Sequence, residues 1–406
     1  MGGFPPLLNP VPLQSPSHPV QPGDQARTKA HPPAFSYRIS KPDCIPTARQ
    51  HHRNWRSLLK FGIFDHVERL PDVSLDRQFA DRLELLAQAD NGGIYGYHVA
   101  EHHHSPLSIG SSPGIYLTAI AARTERINFG PLVYVLPLYH PIRLVEEICM
   151  VDNLSGGRYQ IGIGKGAPVG EEFAMWGGDP VEVHERFEET LEILMFGLTQ
   201  EFVTFSGKFY EFKDLSMELK PKQTPHPPLW YPGNPATAGR LGANFINFGS
   251  IASLPATVET YKENFQTYVD EKGSASSPST EPLYGGTKRI YVADTDEEAM
   301  KRARSAYAVY RANFRKPLPG DTWRRPTTFG PIPDTGGHPW DIDFDQALAG
   351  EQVIIGSPAT VREFVERYES ESDCNYLVTS VQWGDIGHEE ASYSLGLFMS
   401  EVMTSD

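Results

Sequence analysis

From residue 60 onwards, short apolar segments alternate with segments in which apolar residues recur at helical spacing. The apolar run at 61–65 has the length of a strand. Leu75, Phe79 and Leu83 then recur every three or four residues and share one face of a helix. Parallel strands need a crossover connection, and a helix is the usual one. The repetition of this strand–helix unit places the chain in the α/β class.

Eight strands are predicted, with helices between them. The strands lie near 61–65, 94–99, 127–130, 159–163, 228–232, 245–249, 287–293 and 375–381. The later helices lie near 181–197, 236–243, 255–270, 295–312, 357–370 and 388–403. A closed (β/α)8 TIM barrel accommodates these units most economically, and an open doubly wound sheet is the alternative.

Two segments interrupt the alternation. Residues 201–213 are predicted to form a β-hairpin that turns at Ser206 and Gly207. Because a connection as long as 315–345 is either functional or disordered in a barrel, we predict a lid there, with a solvated insertion as the alternative. This connection is rich in proline and glycine, and it carries Trp323, Arg324, Arg325 and Trp340.

The first part of the chain differs in composition from the rest. Residues 1–60 contain eight lysines and arginines against two acidic residues, and they hold 11 of the 35 prolines. A segment of this kind cannot bury a core. We therefore predict a disordered extension over 1–58 and one barrel domain over 59–406. A transit peptide and a translation start at Leu59 are the alternatives.

Charge and cysteine content make several function classes improbable. The chain has 406 residues and a formal net charge of −15, without a strongly basic patch. Nucleic acid and anionic membranes are therefore not expected as partners, and no segment has the apolar length of a membrane span. The cysteines, at positions 44, 149 and 374, suit neither a disulfide framework nor a zinc site. A reducing, cytoplasmic location is predicted.

The second predicted strand is followed by the run 101–104, a glutamate and three histidines. Histidine titrates near neutral pH, so such a cluster can supply a base, an acid or a metal ligand; a solvated turn is the alternative. Asp65 and His66 follow the first predicted strand, and Lys165 follows the fourth. In a barrel, the carboxyl ends of all strands meet at one mouth, so these groups are predicted to converge.

Two turns have features of phosphate-binding segments. In the run 161–166, glycines flank Lys165, which brings backbone N–H groups and an ammonium together; a tight turn with a surface lysine is the alternative. After the fifth strand, Asn234 is predicted to cap a helix that begins at Pro235, with or without a ligand. The apolar run 131–137 either packs in the core or offers a flat wall to an aromatic ring system.

In their order along the chain, these motifs resemble those of the bacterial-luciferase-like, flavin-dependent monooxygenases. The resemblance implies a (β/α)8 barrel that uses reduced flavin mononucleotide (FMN) and dioxygen. It covers residues 60–403. The runs that carry it are Ala100-Glu101-His102-His103, Ala121-Ala122-Arg123-Thr124, Val135-Leu136-Pro137, Asp152-Asn153-Leu154-Ser155-Gly156-Gly157-Arg158, Gly162-Ile163-Gly164-Lys165-Gly166, Gly356-Ser357-Pro358 and Gln382-Trp383-Gly384.

The resemblance also implies roles for individual residues. His102 corresponds to the catalytic histidine of the family, and Glu101 is expected to orient a histidine or to contact the flavin. His103 is expected to support the site, whereas no role is predicted for His104. A cis peptide bond is implied between residues 132 and 133, and no metal ligand is implied. The implied cofactor-binding residues are Glu101, Leu132, Val133, Lys165, Gly233, Asn234 and Thr237.

The sequence therefore predicts a two-component monooxygenase, which takes reduced FMN from a separate flavin reductase and oxygenates a small organic substrate with O2. No dinucleotide-binding fingerprint is evident, which agrees with an external reductase. The family further implies a homodimer. One alternative is a deazaflavin-dependent oxidoreductase of the same fold. Others are a metal-dependent barrel hydrolase that uses Asp65, His66 and the neighbouring histidines, and a flavin-binding protein without catalysis.

Overall fold

The computed structural model describes four ranges of the chain: 59–166, 176–273, 281–315 and 342–403. The extension predicted over 1–58 lies outside these ranges, as do residues 316–341 of the predicted lid. Within the four ranges, every helix is too short or too polar to cross a lipid bilayer.

The described strands and helices alternate along most of the chain. The strands are β1 (Lys60–Asp65), β2 (Gly96–Val99), β3 (Asn128–Pro131), β4 (Tyr134–Val135), β5 (Ile161–Gly164), β6 (Phe202–Ser206), β7 (Glu211–Ser216), β8 (Leu229–Pro232), β9 (Asn244–Asn247), β10 (Tyr284–Val292), β11 (Val353–Gly356) and β12 (Tyr376–Ser380). The α-helices are α1 (Leu75–Asn91), α2 (Pro113–Arg123), α3 (Pro141–Leu154), α4 (Val183–Thr199), α5 (Pro235–Arg240), α6 (Leu254–Lys272), α7 (Asp296–Arg315), α8 (Phe344–Ala349), α9 (Pro358–Glu371) and α10 (His388–Leu397).

The strands of the described part form a parallel barrel. Its order is β1, β2, β3 continued by β4, β5, β8, β9, β10 and β12. The ring closes where β12 pairs with β1 and where Phe129 of β3 bridges Tyr159, just before β5. The predicted (β/α)8 barrel is confirmed. Most residues of these strands are buried whichever face they point to, which explains why the strands are mainly apolar in sequence.

Every predicted strand coincides with a strand of the ring, and the predicted hairpin is the antiparallel pair β6–β7. Two strands were not predicted: β4, which is two residues long, and β11, which pairs with the second half of β10. Apolar runs this short cannot be distinguished from helix or loop by periodicity. The last predicted helix, 388–403, changes at Phe398 into a π-helical turn that reaches Val402.

Aromatic side chains fill the barrel below its mouth. The Trp230 ring lies against Tyr376 with ring centroids 5.3 Å apart, and His98 Nε2 lies 2.9 Å from the Tyr376 hydroxyl. Gly62 makes room for this layer, because a Cβ at that position would overlap the Tyr376 hydroxyl. His98 is completely buried, and this burial lowers its pKa to about 3. Trp230, Tyr376 and His98 are all completely buried, so they fill this part of the barrel interior.

Candidate active site

A cavity of about 490 Å³ opens at the carboxyl ends of the barrel strands. It brings together residues from β1, from the run after β2, from the β3–β4 segment and from β5, so the predicted groups meet at one mouth. Its volume is within the roughly 300–1,000 Å³ typical of small-molecule sites. The side chains of this cavity used below are His66, Glu101, His102, Leu132, Val133, Lys165, Arg289, Tyr307, Tyr310 and Phe314.

Two histidines face each other on one wall of the cavity. The rings of His66 and His102 are nearly parallel, at 14°, with centroids 5.6 Å apart. Burial is the main cause that lowers the pKa of His66 well below its ordinary value, and the neighbouring His102 and Arg289 lower it further. Burial and the neighbouring charges therefore favour the neutral form of His66, whose ring lies against His102 in the cavity wall.

Glu101 holds the backbone and side chains around His102 in place. One carboxylate oxygen accepts hydrogen bonds from His103 Nε2 at 3.0 Å and from the Tyr139 hydroxyl at 2.8 Å. The other oxygen accepts from the Val135 backbone N–H at 2.7 Å. Burial raises the pKa of Glu101, and these donors oppose that shift. These hydrogen bonds are those expected if Glu101 orients His103, and because Glu101 also lines the cavity, its contact with a flavin stays a prediction.

His104 takes no part in this wall. It is exposed and has a left-handed backbone conformation, with φ of 53°. The chain turns away from the cavity at this residue, so the third histidine of the run is outside the cavity lining.

The peptide bond between Leu132 and Val133 is cis, as the family resemblance implies. Both residues line the cavity. Gly162 of β5 packs directly under this segment, because a Cβ there would overlap the Pro131 carbonyl oxygen. The β3–β4 connection therefore forms an apolar wall that lies close to the neighbouring strand.

The predicted phosphate-binding residues divide into two groups. Lys165 lines the cavity, and its Nζ donates to His184 Nδ1 at 2.7 Å. Gly233, Asn234 and Thr237 lie just beyond the lining strand β8 and do not themselves line the cavity. Asn234 caps α5 as predicted, since its side chain accepts from the Thr237 backbone N–H at 2.9 Å.

Sequence reasoning missed the wall formed by β10 and α7. Arg289 of β10 places its guanidinium carbon 3.6 Å from the ring centroid of Tyr310. Tyr310 lies on α7, which also contributes Tyr307 and Phe314 to the cavity. The available signal was the run Thr-Lys-Arg at 287–289, which places two cations inside an otherwise apolar strand. Buried charged residues of this kind are uncommon without a partner or a function.

Asp65 is engaged by protein groups and does not face the cavity as a free ligand. Its two oxygens lie 3.1 and 3.0 Å from Arg82 Nη1, and Oδ1 also accepts from the Val67 backbone N–H at 2.7 Å. Within the described ranges, the one three-ligand acidic cluster is Asp81, Glu84 and His388, which is not part of the cavity lining. The geometry therefore gives no support to the hydrolase alternative.

Comparison with known proteins assigns the family. The sequence profile of the family described as luciferase-like monooxygenase matches residues 59–372. The chain belongs to the luciferase-like monooxygenases. The predicted family and enzyme class are thereby confirmed. This monooxygenase is 34% identical over 350 residues to the uncharacterised protein y4wF of Sinorhizobium fredii, across 86% of its own length and 97% of the relative.

A second relative has a named activity. The oxygenase component of the flavin-dependent trigonelline monooxygenase of Acinetobacter baylyi is 26% identical over 355 residues, across 85% of this monooxygenase and 95% of the relative.

Two solved structures show the same fold. One is the oxygenating constituent of 3,6-diketocamphane monooxygenase of Pseudomonas putida in complex with FMN, with a TM-score of 0.64, 21% identity, and coverage of 86% of this monooxygenase and 98% of that chain. The other is the coenzyme F420-dependent tetrahydromethanopterin reductase of Methanopyrus kandleri, with a TM-score of 0.58, 18% identity, and coverage of 86% and 99%.

Proposed function

We propose that this protein is the oxygenase component of a two-component flavin system. It would receive reduced FMN from a separate flavin reductase and insert one oxygen atom of O2 into a small organic substrate. The observation that carries the proposal is the position of His102, stacked on a neutral His66 in the wall of the barrel-mouth cavity. The relative named as an oxygenase component supports the need for a reductase.

The cavity walls fit a flavin. Leu132 and Val133 provide an apolar surface for a ring system, and Lys165 provides a cation for a phosphate at the end of β5. The turn that contains Gly233, Asn234 and Thr237 is proposed to contribute from beyond β8, although it does not form the cavity lining. When bound, reduced flavin supplies two electrons to O2, so that one oxygen atom enters the substrate and the other leaves as water.

His102 is proposed to be the catalytic residue that holds and moves a proton at the reacting flavin and oxygen atoms. Two positive imidazoles at 5.6 Å repel each other by about 3 kcal/mol at an effective dielectric constant of about 20. This repulsion disfavours a state in which both imidazoles are positive. Because burial favours the neutral form of His66, the proton-transfer role is proposed for His102, the other imidazole of the pair. Glu101 is proposed to support the site through His103 and the Val135 backbone and, as a residue of the cavity lining, to contact the flavin.

A deazaflavin-dependent oxidoreductase is the second candidate, since a reductase that uses coenzyme F420 has the same fold. Incorporation of oxygen from O2 into the product distinguishes the monooxygenase from the deazaflavin-dependent oxidoreductase. The chain, a flavin reductase, FMN and a panel of monoterpenes, aldehydes and aromatic acids are incubated under ¹⁸O2, and products are analysed by mass spectrometry. The proposal predicts products that contain one ¹⁸O atom. Substrate reduction by reduced F420, without label or oxygen uptake, would support the second candidate instead.

We also propose that the protein assembles as a homodimer, as the family resemblance implies. Sedimentation equilibrium of the purified chain tests this. A mass of twice 45.3 kDa is expected, and a single species at 45.3 kDa would contradict the assembly while leaving the proposed chemistry intact.

A further inference from the structure

The cavity has two positively charged regions on different parts of its rim. Lys165 follows β5, the fourth strand of the ring, whereas Arg289 lies on β10, the seventh. Three strand positions therefore separate the two cations in a ring of eight. One flavin phosphate occupies only one of these regions. If Lys165 serves the phosphate, Arg289 is left for a different anionic group.

Arg289 and its neighbour Lys288 both line the cavity, but the Lys288 ammonium is already bound by a backbone carbonyl. Lys288 donates from Nζ to the Gly249 carbonyl at 2.7 Å, which ties β10 to the end of β9. Arg289 instead stacks on Tyr310 and is near enough to His66 to lower its pKa. Because the Gly249 carbonyl already accepts from Lys288, Arg289 is the cation of β10 that is left for a cavity ligand.

The protein does not fully satisfy this guanidinium. Arg289 Nε is buried and has no hydrogen-bond partner within the described ranges. A buried N–H donor without an acceptor has lost its hydration and gains no hydrogen bond in exchange, which is unfavourable. The buried carboxylate of Glu68 is close enough to interact with the charge, but it already accepts from Asn313 Nδ2 at 2.9 Å and from the Gly384 backbone N–H at 3.1 Å.

The cavity wall offers no other anion for Arg289. Among the described lining residues, Glu101 is the one carboxylate, and His103, Tyr139 and Val135 occupy both of its oxygens. A planar guanidinium binds a carboxylate through two parallel hydrogen bonds. The described wall thus contains no carboxylate that could pair with Arg289 in this way, and a ligand could supply one.

We propose that the substrate of this monooxygenase carries a carboxylate, which Arg289 binds beside the His66–His102 pair. The proposal rests on the proposed function and names its substrate class. Tyr307, Tyr310 and Phe314 of α7 line the same side of the cavity and contact the apolar body of the acid. The carboxylate at Arg289 fixes the distance between the substrate carbon to be oxygenated and the flavin.

Matched acids and amides test this inference on the full chain. Benzoate and benzamide, and cinnamate and cinnamamide, are titrated calorimetrically into the protein, both alone and with FMN reduced under nitrogen. Each acid is expected to bind at least tenfold more tightly than its amide, because the amide has the same shape without the charge. Equal affinities, or no binding by any of the acids, would overturn the proposal.

Variants at the two cationic regions locate the acid. Arg289→Gln is expected to weaken benzoate binding at least tenfold and to leave the affinity for reduced FMN unchanged. Lys165→Gln is expected to weaken the binding of reduced FMN at least tenfold and to leave the affinity for benzoate unchanged. Lys301→Gln, on the exposed face of α7, is the control that changes neither affinity. If Arg289→Gln weakens FMN binding and not benzoate binding, Arg289 serves the flavin and the proposal is wrong.

The same titrations distinguish failure of this inference from failure of the proposed function. Failure of reduced FMN to bind the parent chain would contradict the proposed function, and acid binding is still measured on the protein alone. Tight FMN binding without any preference for acids would contradict only the carboxylate assignment. The acid–amide comparison on the parent chain does not depend on the folding of any variant.

Discussion

The aromatic layer below the cavity makes a quantitative prediction about acid stability. His98 is completely buried, with Nε2 at 2.9 Å from the Tyr376 hydroxyl and Nδ1 without a partner in the described structure. Burial lowers its pKa to about 3, against 6.5 in the unfolded chain. Because the folded pKa is the lower one, the unfolded chain binds the proton first as the pH falls. The contribution of His98 is thus complete above about pH 6.5 and is lost progressively towards about pH 3.

The size of this loss follows from the two pKa values. Between about pH 8 and about pH 5, the folded protein gains almost no proton at His98, whereas the unfolded chain is nearly fully protonated there. The free energy of unfolding should fall by about 2 kcal/mol over this interval. Replacement by glutamine removes the titration, so the variant should lack this part of the pH dependence.

Urea unfolding, followed by tryptophan fluorescence, measures this difference. The free energy of unfolding is determined for the parent, His98→Gln and the exposed-site control His104→Gln at about pH 8 and about pH 5. The difference between the parent and His98→Gln should change by about 2 kcal/mol between the two pH values, while the control follows the parent. Parallel pH dependence in the parent and His98→Gln would refute the reasoning.

Three further substitutions have defined consequences. Asp65→Asn should destabilise the fold by about 3–5 kcal/mol, because Arg82 would keep a buried charge without its counter-ion; a loss below about 1 kcal/mol in urea unfolding would contradict this. Gly162→Ala should cost about 1–3 kcal/mol and weaken FMN binding, since the new methyl overlaps the Pro131 carbonyl; unchanged fluorescence titration of FMN would argue against the close packing. Lys165→Met should raise the dissociation constant of FMN about tenfold, through loss of one charge-assisted contact of about 1.5 kcal/mol, and unaltered FMN affinity would remove Lys165 from the phosphate site.

The barrel could be predicted from the sequence because each of its strands and helices has a pattern of apolar residues that is visible within a short segment. A parallel strand that is buried on both faces must be apolar along its whole length, and the crossover helix behind it must have one apolar face. Both patterns are visible in segments such as β1 and α1. By contrast, β11 is a run of four residues whose only strand partner in the described structure is the second half of β10. Nothing within such a run distinguishes this pairing from a turn.

The active site could be predicted only in part, for a related reason. His102 and Lys165 directly follow strands, so the barrel alone brings them to the mouth. The role of Arg289 depends on which helix covers it and on the absence of a nearby acceptor, and both depend on tertiary packing. The same holds for Glu101, whose partner Tyr139 lies beyond the next strand. The sequence restricted Glu101 to two roles, but its hydrogen bonds with His103, Tyr139 and Val135 could not be predicted from the sequence.

The most direct test of the central claim compares two histidines of one run. His102→Asn and His104→Asn are assayed for reduced-FMN affinity and for the rate of ¹⁸O incorporation into product, with the parent chain as reference. The account predicts that His102→Asn binds reduced FMN normally and loses about 10²–10⁴-fold in oxygenation rate, as expected for removal of a general acid–base group, while His104→Asn retains the parental rate. Unimpaired ¹⁸O incorporation by His102→Asn would contradict the assignment of proton handling to this residue.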